Sequence, residues 1–350
     1  MVVYEYANRL VARGHEVTIV HPRRRWNIRH PLRTRFFLWL TEKARHPRNS
    51  ILIPEVHWYT VDSRVRMIAV PKFTASFVPD GDAVFNSRYI GGPFPPEKGK
   101  EFLLVQHYGV LPAELRALED AAFRSPAGKV VVARWLYEQG LEFGVPPDEM
   151  IHIPNAIDHA RYRTLRPIEY RPPRIAMLYN SQLWKGAEDG VIALELAREE
   201  FPTLQAVLFG VFPRPKKLPG WIEYHYDPPQ EELIESIYNG SSIYLCPSWT
   251  EGFGLPSAEA MACGCAVVST DNGGVRDYAE HGVTALLSPP KKPRALAANL
   301  LRLLEDDELR IRLAKAGHEC IQEFTWERST NLLEQFLIDR IGRPGTQEKA

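Results

Sequence analysis

The chain has 350 residues, 43 basic and 43 acidic side chains, and therefore no net charge; 45% of it is hydrophobic and 25% charged. That length suits two ordinary domains with sizeable cores, sets aside a disordered chain, and gives no reason to expect a nucleic-acid partner. Cys246, Cys263, Cys265 and Cys320 show neither C-x-x-C nor disulfide-framework spacing, and no secretory pattern or apolar run of about 18 residues is visible, so the expectation is buried thiols in a cytoplasmic setting.

The zero balance hides an asymmetry. Residues 1–173 carry a net +7 and residues 174–350 a net −7. Between them lies Arg166-Pro-Ile-Glu-Tyr-Arg-Pro-Pro173, a proline-rich stretch that suits an interdomain linker.

The chain opens with helical spacing from Val2 to Arg13, closed by Gly14. Strands are expected at 16–20, 65–70, 83–85, 102–106, 130–132 and 151–153, then at 175–179, 206–209, 222–226, 243–246, 266–269 and 285–287. Helices fall between them, for example at 187–200, 230–239 and 293–305. Short β-branched runs alternating with helices predict two doubly wound α/β domains. The last residues, 342–350, read as a disordered tail.

Two segments in the first half invite a functional reading. Residues 23–35 hold six arginines and no acid, and Ile28, Leu32, Phe36 and Leu40 then recur at steps of four. A basic amphipathic helix over 23–40 could rest on an anionic membrane surface, or be a domain helix with a solvated basic face. Asp80-Gly-Asp82 has the spacing of a divalent-cation site, but it precedes a strand and would sit at the wrong end of the sheet; a turn is expected, and no metal.

The most informative stretch is Glu251-Gly-Phe-Gly-Leu-Pro-Ser-Ala-Glu259. Two carboxylates stand eight positions apart, with glycines between them that let backbone N–H groups approach a ligand. Pro256 suits the first turn of a helix over about 255–263, whose positive end would face the loop. Such a loop suits an anionic, hydroxyl-rich ligand, with phosphates at the helix end and hydroxyls on the carboxylates. The flanking strands 243–246 and 266–269, the latter followed by Asp271-Asn-Gly-Gly274, put two glycine-rich loops on the carboxyl side of a parallel sheet, where ligands bind.

The run from Pro247 to Leu287 resembles the donor-binding core of the retaining GT-B glycosyltransferases of family 4, the group 1 glycosyltransferases. The carboxylate pair matches that family's E-x7-E motif. Ile153-Pro-Asn-Ala-Ile-Asp158 and Phe324-Thr-Trp-Glu327 resemble the segments that end its first domain and begin its last helix. The resemblance implies two Rossmann-like domains with a cleft between them: an acceptor-side domain at 1–165, a linker at 166–173, a nucleotide-sugar domain at 174–325 and a helix at 326–341 returning to the first domain. Glu251 would hold donor-sugar hydroxyls and Glu259 the ribose. The amides of Gly252, Phe253, Gly254 and Leu255 would line the sugar and phosphates. Lys185 would be the phosphate-binding lysine, with Asn180 where an arginine is usual; Arg88 or Arg134 could replace that cation. His107, at the end of strand 102–106, would line the cleft on the acceptor side, whereas His15 and His281 read as structural.

The implied reaction moves a sugar from a nucleoside-diphosphate donor to a glycan or lipid-linked acceptor with retention, needing no metal or further cofactor. Negative charge on the leaving diphosphate would be met by Lys185 and the helix end. A glycosidase would need two carboxyls flanking one bond about 5–10 Å apart, and glycines with a helix end between them suit a phosphate better. A sugar-nucleotide epimerase and a non-catalytic nucleotide-sugar binder stay open as alternatives. Family members carry a strand and a glycine-rich turn before the first helix, in the middle of the sheet, and the sequence shows neither. The expectation is a truncated chain, or a first domain with an empty central slot and two unpaired ladders.

Overall fold

The computed structural model describes residues 1–22, 59–71, 74–87, 94–111 and 113–342. The basic stretch 23–40, Arg88 and the tail from 343 lie outside the described residues. All twelve expected strands form, each within two residues of its expected bounds.

The chain divides into two compact units. The first comprises Met1–Leu104, Ala117–Lys129 and Thr330–Ala350; the second comprises Val105–Arg116 and Val130–Ser329. In the first, helix α1 (Val2–Ala12) precedes β1 (Thr18–Pro22), which pairs in parallel with β2 (Arg66–Val70), Ile19 opposite Met67. Ala7 and Val11 of the helix meet Ile19 and Val65 in a small apolar core. β3 (Ala83–Asn86) pairs in parallel with β4 (Lys100–Val105) in a separate sheet; β5 (Gly128–Val131) and β6 (Met150–His152) follow in the chain, β6 within the second unit. Among the described residues no strand joins the two sheets. Asp80 of the Asp-Gly-Asp turn accepts from Lys98 at 2.6 Å. Helix α2 (Ala113–Arg124) ends over the buried Lys129, whose ammonium donates to the carbonyls of Ser125 and Ala127, neutralising a helix C-terminus.

The second unit holds helix α3 (Arg134–Glu142) and a six-stranded, all-parallel sheet. Its strands are β7 (Arg174–Leu178), β8 (Gln205–Gly210), β9 (Glu223–Tyr226), β10 (Ile243–Cys246), β11 (Ala266–Thr270) and β12 (Ala285–Ser288), in the order β12-β11-β10-β7-β8-β9. Ile243 lies opposite Ile175 on one side and Ala266 on the other. β10 and β11 are buried at every position, which is why Ile243–Cys246 and Ala266–Val268 read as unbroken apolar runs rather than as alternating patterns. Helices α4 (Ala187–Glu200), α5 (Gln230–Glu232), α6 (Leu255–Ala262), α7 (Pro293–Glu305) and α8 (Asp307–Ile321) belong to this unit. Leu194, Leu296, Leu300 and Leu313 from these helices pack with Ile175, Leu208, Leu245 and Val268 of the sheet in one core. The last helix, α9 (Trp326–Ile341), starts in the second unit and joins the first at Thr330. There Glu334 accepts from Arg13 at 2.5 Å and meets His15 at 2.7 Å, which gives His15 a structural partner.

The helix expected at 230–239 is not uniform. After α5 the chain widens into a π-helix over Leu233–Tyr238, and Asn239 N–H reaches back five residues to Ile234 O at 3.0 Å. Asn239 is fully buried and accepts from Leu165 N and Arg171, which fixes where this wide turn must end.

The proline-rich stretch 166–173 is packed rather than solvated. Ile168 is buried in the sheet core, and Arg171 is 5% exposed. Its guanidinium donates to Cys263 O at 2.6 Å, Arg166 O at 3.0 Å, Ser241 O at 3.2 Å and Asn239 Oδ1 at 3.0 Å. It thus gathers carbonyls at the ends of α6 and of the π-helix, where a cation opposes both dipoles. Arg171→Met should leave these acceptors buried and unpaired, lowering stability by roughly 2–4 kcal/mol. A urea melt of the variant with an unchanged midpoint would contradict that role.

Candidate functional site

The site grows from the order of the second sheet. β7 connects outward to β8 while β10 connects outward to β11, so the loops after these neighbouring strands diverge and leave a crevice at their carboxyl ends. After β7, Asn180 Oδ1 accepts from Gln182 N at 2.9 Å and turns the chain into a 3-10 segment, Leu183–Lys185. After β10, Trp249 N donates to Trp184 O at 2.7 Å, and its indole donates to Asp189 at 2.7 Å. The two loops are therefore stitched together before any ligand arrives. Lys185 Nζ lies 2.8 Å from both Glu251 Oε1 and Oε2. Both residues line a pocket shared with Asn180, Tyr244, Cys246, Ser248, Gly254 and Ser257.

Glu251 and its loop are held from several sides. Its N–H donates to Asn272 O at 2.9 Å, and its own carbonyl, with that of Gly252, accepts from the Trp135 indole at 3.0 Å each. A Cβ at Gly252 would come within 1.8 Å of Gln106 O, so no other residue fits there without moving backbone. Gly254 has φ +90° and caps α6, a conformation that side chains resist. Among the described residues, the N–H groups of Gly252, Phe253, Gly254 and Leu255 donate to no protein acceptor. Buried N–H groups without partners are costly and mark where a ligand's oxygens would be welcome.

The other expected residues take distinct places. Phe253 turns its ring into an aromatic cluster with Tyr278 at 5.1 Å and Phe324 at 5.8 Å, so only its backbone faces the loop. Leu255 opens α6. His107 stands edge-on to Trp135, with ring centroids 5.9 Å apart, and its Nδ1 accepts from Tyr108 N at 2.8 Å. Burial lowers its pKa against the opposing pull of the Tyr108 backbone and the Glu251 charge, which keeps the ring neutral at pH 7. Arg134 is exposed, and its N–H donates to Asp277 Oδ1 at 3.1 Å. His281 Nδ1 accepts from Leu287 N at 3.0 Å, a structural bond.

Glu259 is buried, and its carboxylate accepts from Tyr238 Oη at 3.3 Å and from Tyr162. Burial pushes its pKa up to about 7, and the two tyrosine hydrogen bonds only partly oppose that. Sequence reasoning missed Tyr162, Tyr238 and Trp135. Tyr238 reaches Glu259 from the π-helix, and no pattern in the sequence signals that widening. Trp135 follows the end of β5 at the start of α3, and an aromatic at a strand's carboxyl end was the available clue.

Residues 171–319 match the family model described as "Glycosyl transferases group 1". The chain is 36% identical over 124 residues to the D-inositol 3-phosphate glycosyltransferase of Corynebacterium jeikeium, a match covering 35% of this chain and 29% of that one. It thus spans under a third of the length of that relative. A glycosyltransferase from Rickettsia africae superposes with a TM-score of 0.66 at 16% identity, covering 97% of this chain and 94% of the other. The Anabaena HepE protein in complex with UDP-glucose superposes at 0.58 with 18% identity, covering 69% and 73%.

The titration of Glu259 has a definite sign. The unfolded carboxyl titrates near 4.5 and the folded one near 7, so the folded state holds the extra proton between those values. Stability without ligand therefore falls as pH rises from about 4.5 to about 7 and stays lower above it. Glu259→Gln should flatten that slope and raise stability at pH 8 by on the order of 3 kcal/mol. Parallel melts of both proteins from pH 5 to pH 8 read it, and equal slopes would contradict it. Gly252→Ala should lower the melting temperature by displacing the loop from Gln106 O, an effect that differential scanning calorimetry measures. The chain has the GT-B fold, and residues 171–319, within its second unit, are similar to the group 1 glycosyltransferases.

Proposed function

We propose that this protein transfers a sugar from a nucleoside-diphosphate sugar to an acceptor hydroxyl, with retention at the anomeric carbon and without a metal ion. The observation that carries the reading is the Lys185–Glu251 pair and four loop amides that donate to no acceptor among the described residues, all at the carboxyl ends of β7 and β10. A diphosphate suits the ammonium and the amides; sugar and ribose hydroxyls suit the two buried carboxylates. The UDP-glucose complex of HepE and the curated relative's name support the donor class and an acceptor bearing hydroxyls.

The chemistry follows from those placements. The bond between the anomeric carbon and the phosphate oxygen breaks, and the acceptor oxygen bonds to that carbon on the same face. The acceptor's proton passes to the departing phosphate oxygen. Lys185, the amides of residues 252–255 and the positive end of α6 stabilise the charge that accumulates on the diphosphate. Glu251 orients the sugar, Glu259 holds the ribose, and the neutral His107 lines the acceptor side. The fixed ammonium supplies the positive charge that a divalent cation would otherwise bring, so activity should survive EDTA.

The deciding experiment pairs donor binding with transfer. Ligand screening by thermal shift against UDP-, GDP-, ADP- and dTDP-sugars identifies the donor. With that donor, Glu251→Ala should lower turnover by about 100-fold or more while changing donor affinity far less. Glu259→Ala should weaken nucleotide binding by about tenfold, the worth of a charge-assisted hydrogen bond. Proton NMR of the product should show the donor's anomeric configuration. Normal transfer by the double variant would refute the assignment, and inverted product would refute retention.

A further inference from the structure

The cation and the carboxylate that a sugar diphosphate would need are engaged with each other. Lys185 Nζ sits 2.8 Å from both oxygens of Glu251, with side-chain exposures of 21% and 10%. Among the described residues neither group has a second counter-ion. Asn180, a neutral amide that accepts from Gln182 N, offers the pair no competing charge.

We propose that this ion pair is a lock that only an intact donor opens at low cost. A ligand with a diphosphate alone must draw Lys185 away and leave Glu251 a buried carboxylate without a partner, which is expensive. An intact sugar diphosphate offers phosphate oxygens to Lys185 and hydroxyl donors to Glu251 together, so both charges exchange one partner for another. The site therefore favours the unspent donor over the nucleoside diphosphate left after transfer, and the pair re-forms as product departs. This inference rests on the nucleotide-sugar reading above, and the test separates the two.

Inorganic pyrophosphate is the probe, because it carries the diphosphate without base or sugar. Its affinity is measured by calorimetry at low salt, about 50 mM, where charge effects are least screened. The proteins are the full chain and its Glu251→Gln, Glu188→Gln and Lys185→Met variants. Glu188 is an exposed acid in the first turn of α4, three positions from Lys185 and outside the pair. Glu188→Gln thus removes the same charge without touching the lock. Glu251→Gln should bind pyrophosphate roughly tenfold tighter than the unaltered chain, Glu188→Gln should stay within about twofold, and Lys185→Met should lose binding. If Glu251→Gln gains no more than Glu188→Gln while Lys185→Met still loses binding, the lock is wrong and the donor site stands. If pyrophosphate binds independently of Lys185, or fails to bind both the unaltered chain and Glu251→Gln, the nucleotide-sugar reading itself is wrong. Should Glu251→Gln not fold, Glu251→Ser is read in the same way.

Discussion

Two neighbouring parallel strands whose connections leave in opposite directions are the constraint on which the rest of the site depends. β7 and β10 lie side by side, yet their loops diverge, and the carboxyl ends of the two strands are left facing an open crevice. Every polar group of interest hangs from one of these two loops or leans on it. Lys185 comes from the first and Glu251 from the second, and the Trp184–Trp249 and Trp249–Asp189 bonds fix the spacing. The ion pair is a consequence of that spacing: two charged side chains from adjacent loops, partly desolvated, find each other.

The loop over 251–254 is held tightly by its surroundings. Gly252 is pressed against Gln106 O, and a Cβ at Gly274 would lie 2.6 Å from Gly252 O. Trp135 ties the carbonyls of Glu251 and Gly252 with one N–H. With the carbonyls taken, the amides are what the loop presents. Donors held in place by their surroundings cost little reorganisation when charge develops beside them. Behind the loop, Glu259 is buried, and the π-helix supplies Tyr238 to hold its carboxylate.

Much of this was legible in the residues. Unbroken apolar runs such as Ile243–Cys246 declared buried parallel strands, and the helices over 187–200 and 293–305 form with the expected bounds. The E-x7-E stretch and Lys185 could be singled out because glycine, proline and charge act locally: they set backbone freedom and a helix start wherever they occur. The resemblance to group 1 glycosyltransferases pointed to the same residues.

What the sequence by itself determined, then, is the succession of elements, the side of the sheet that carries the loops and the residue types available there. Only the tertiary structure decided which of them meet. That Lys185 and Glu251 form a pair across 66 positions follows from β7 and β10 being neighbours, a long-range fact that no local pattern encodes. The approach of Trp135, the tyrosines around Glu259 and the burial of Arg171 inside an apparent linker have the same origin. Each depends on packing between segments far apart in the chain, where close contact rather than composition fixes the partner.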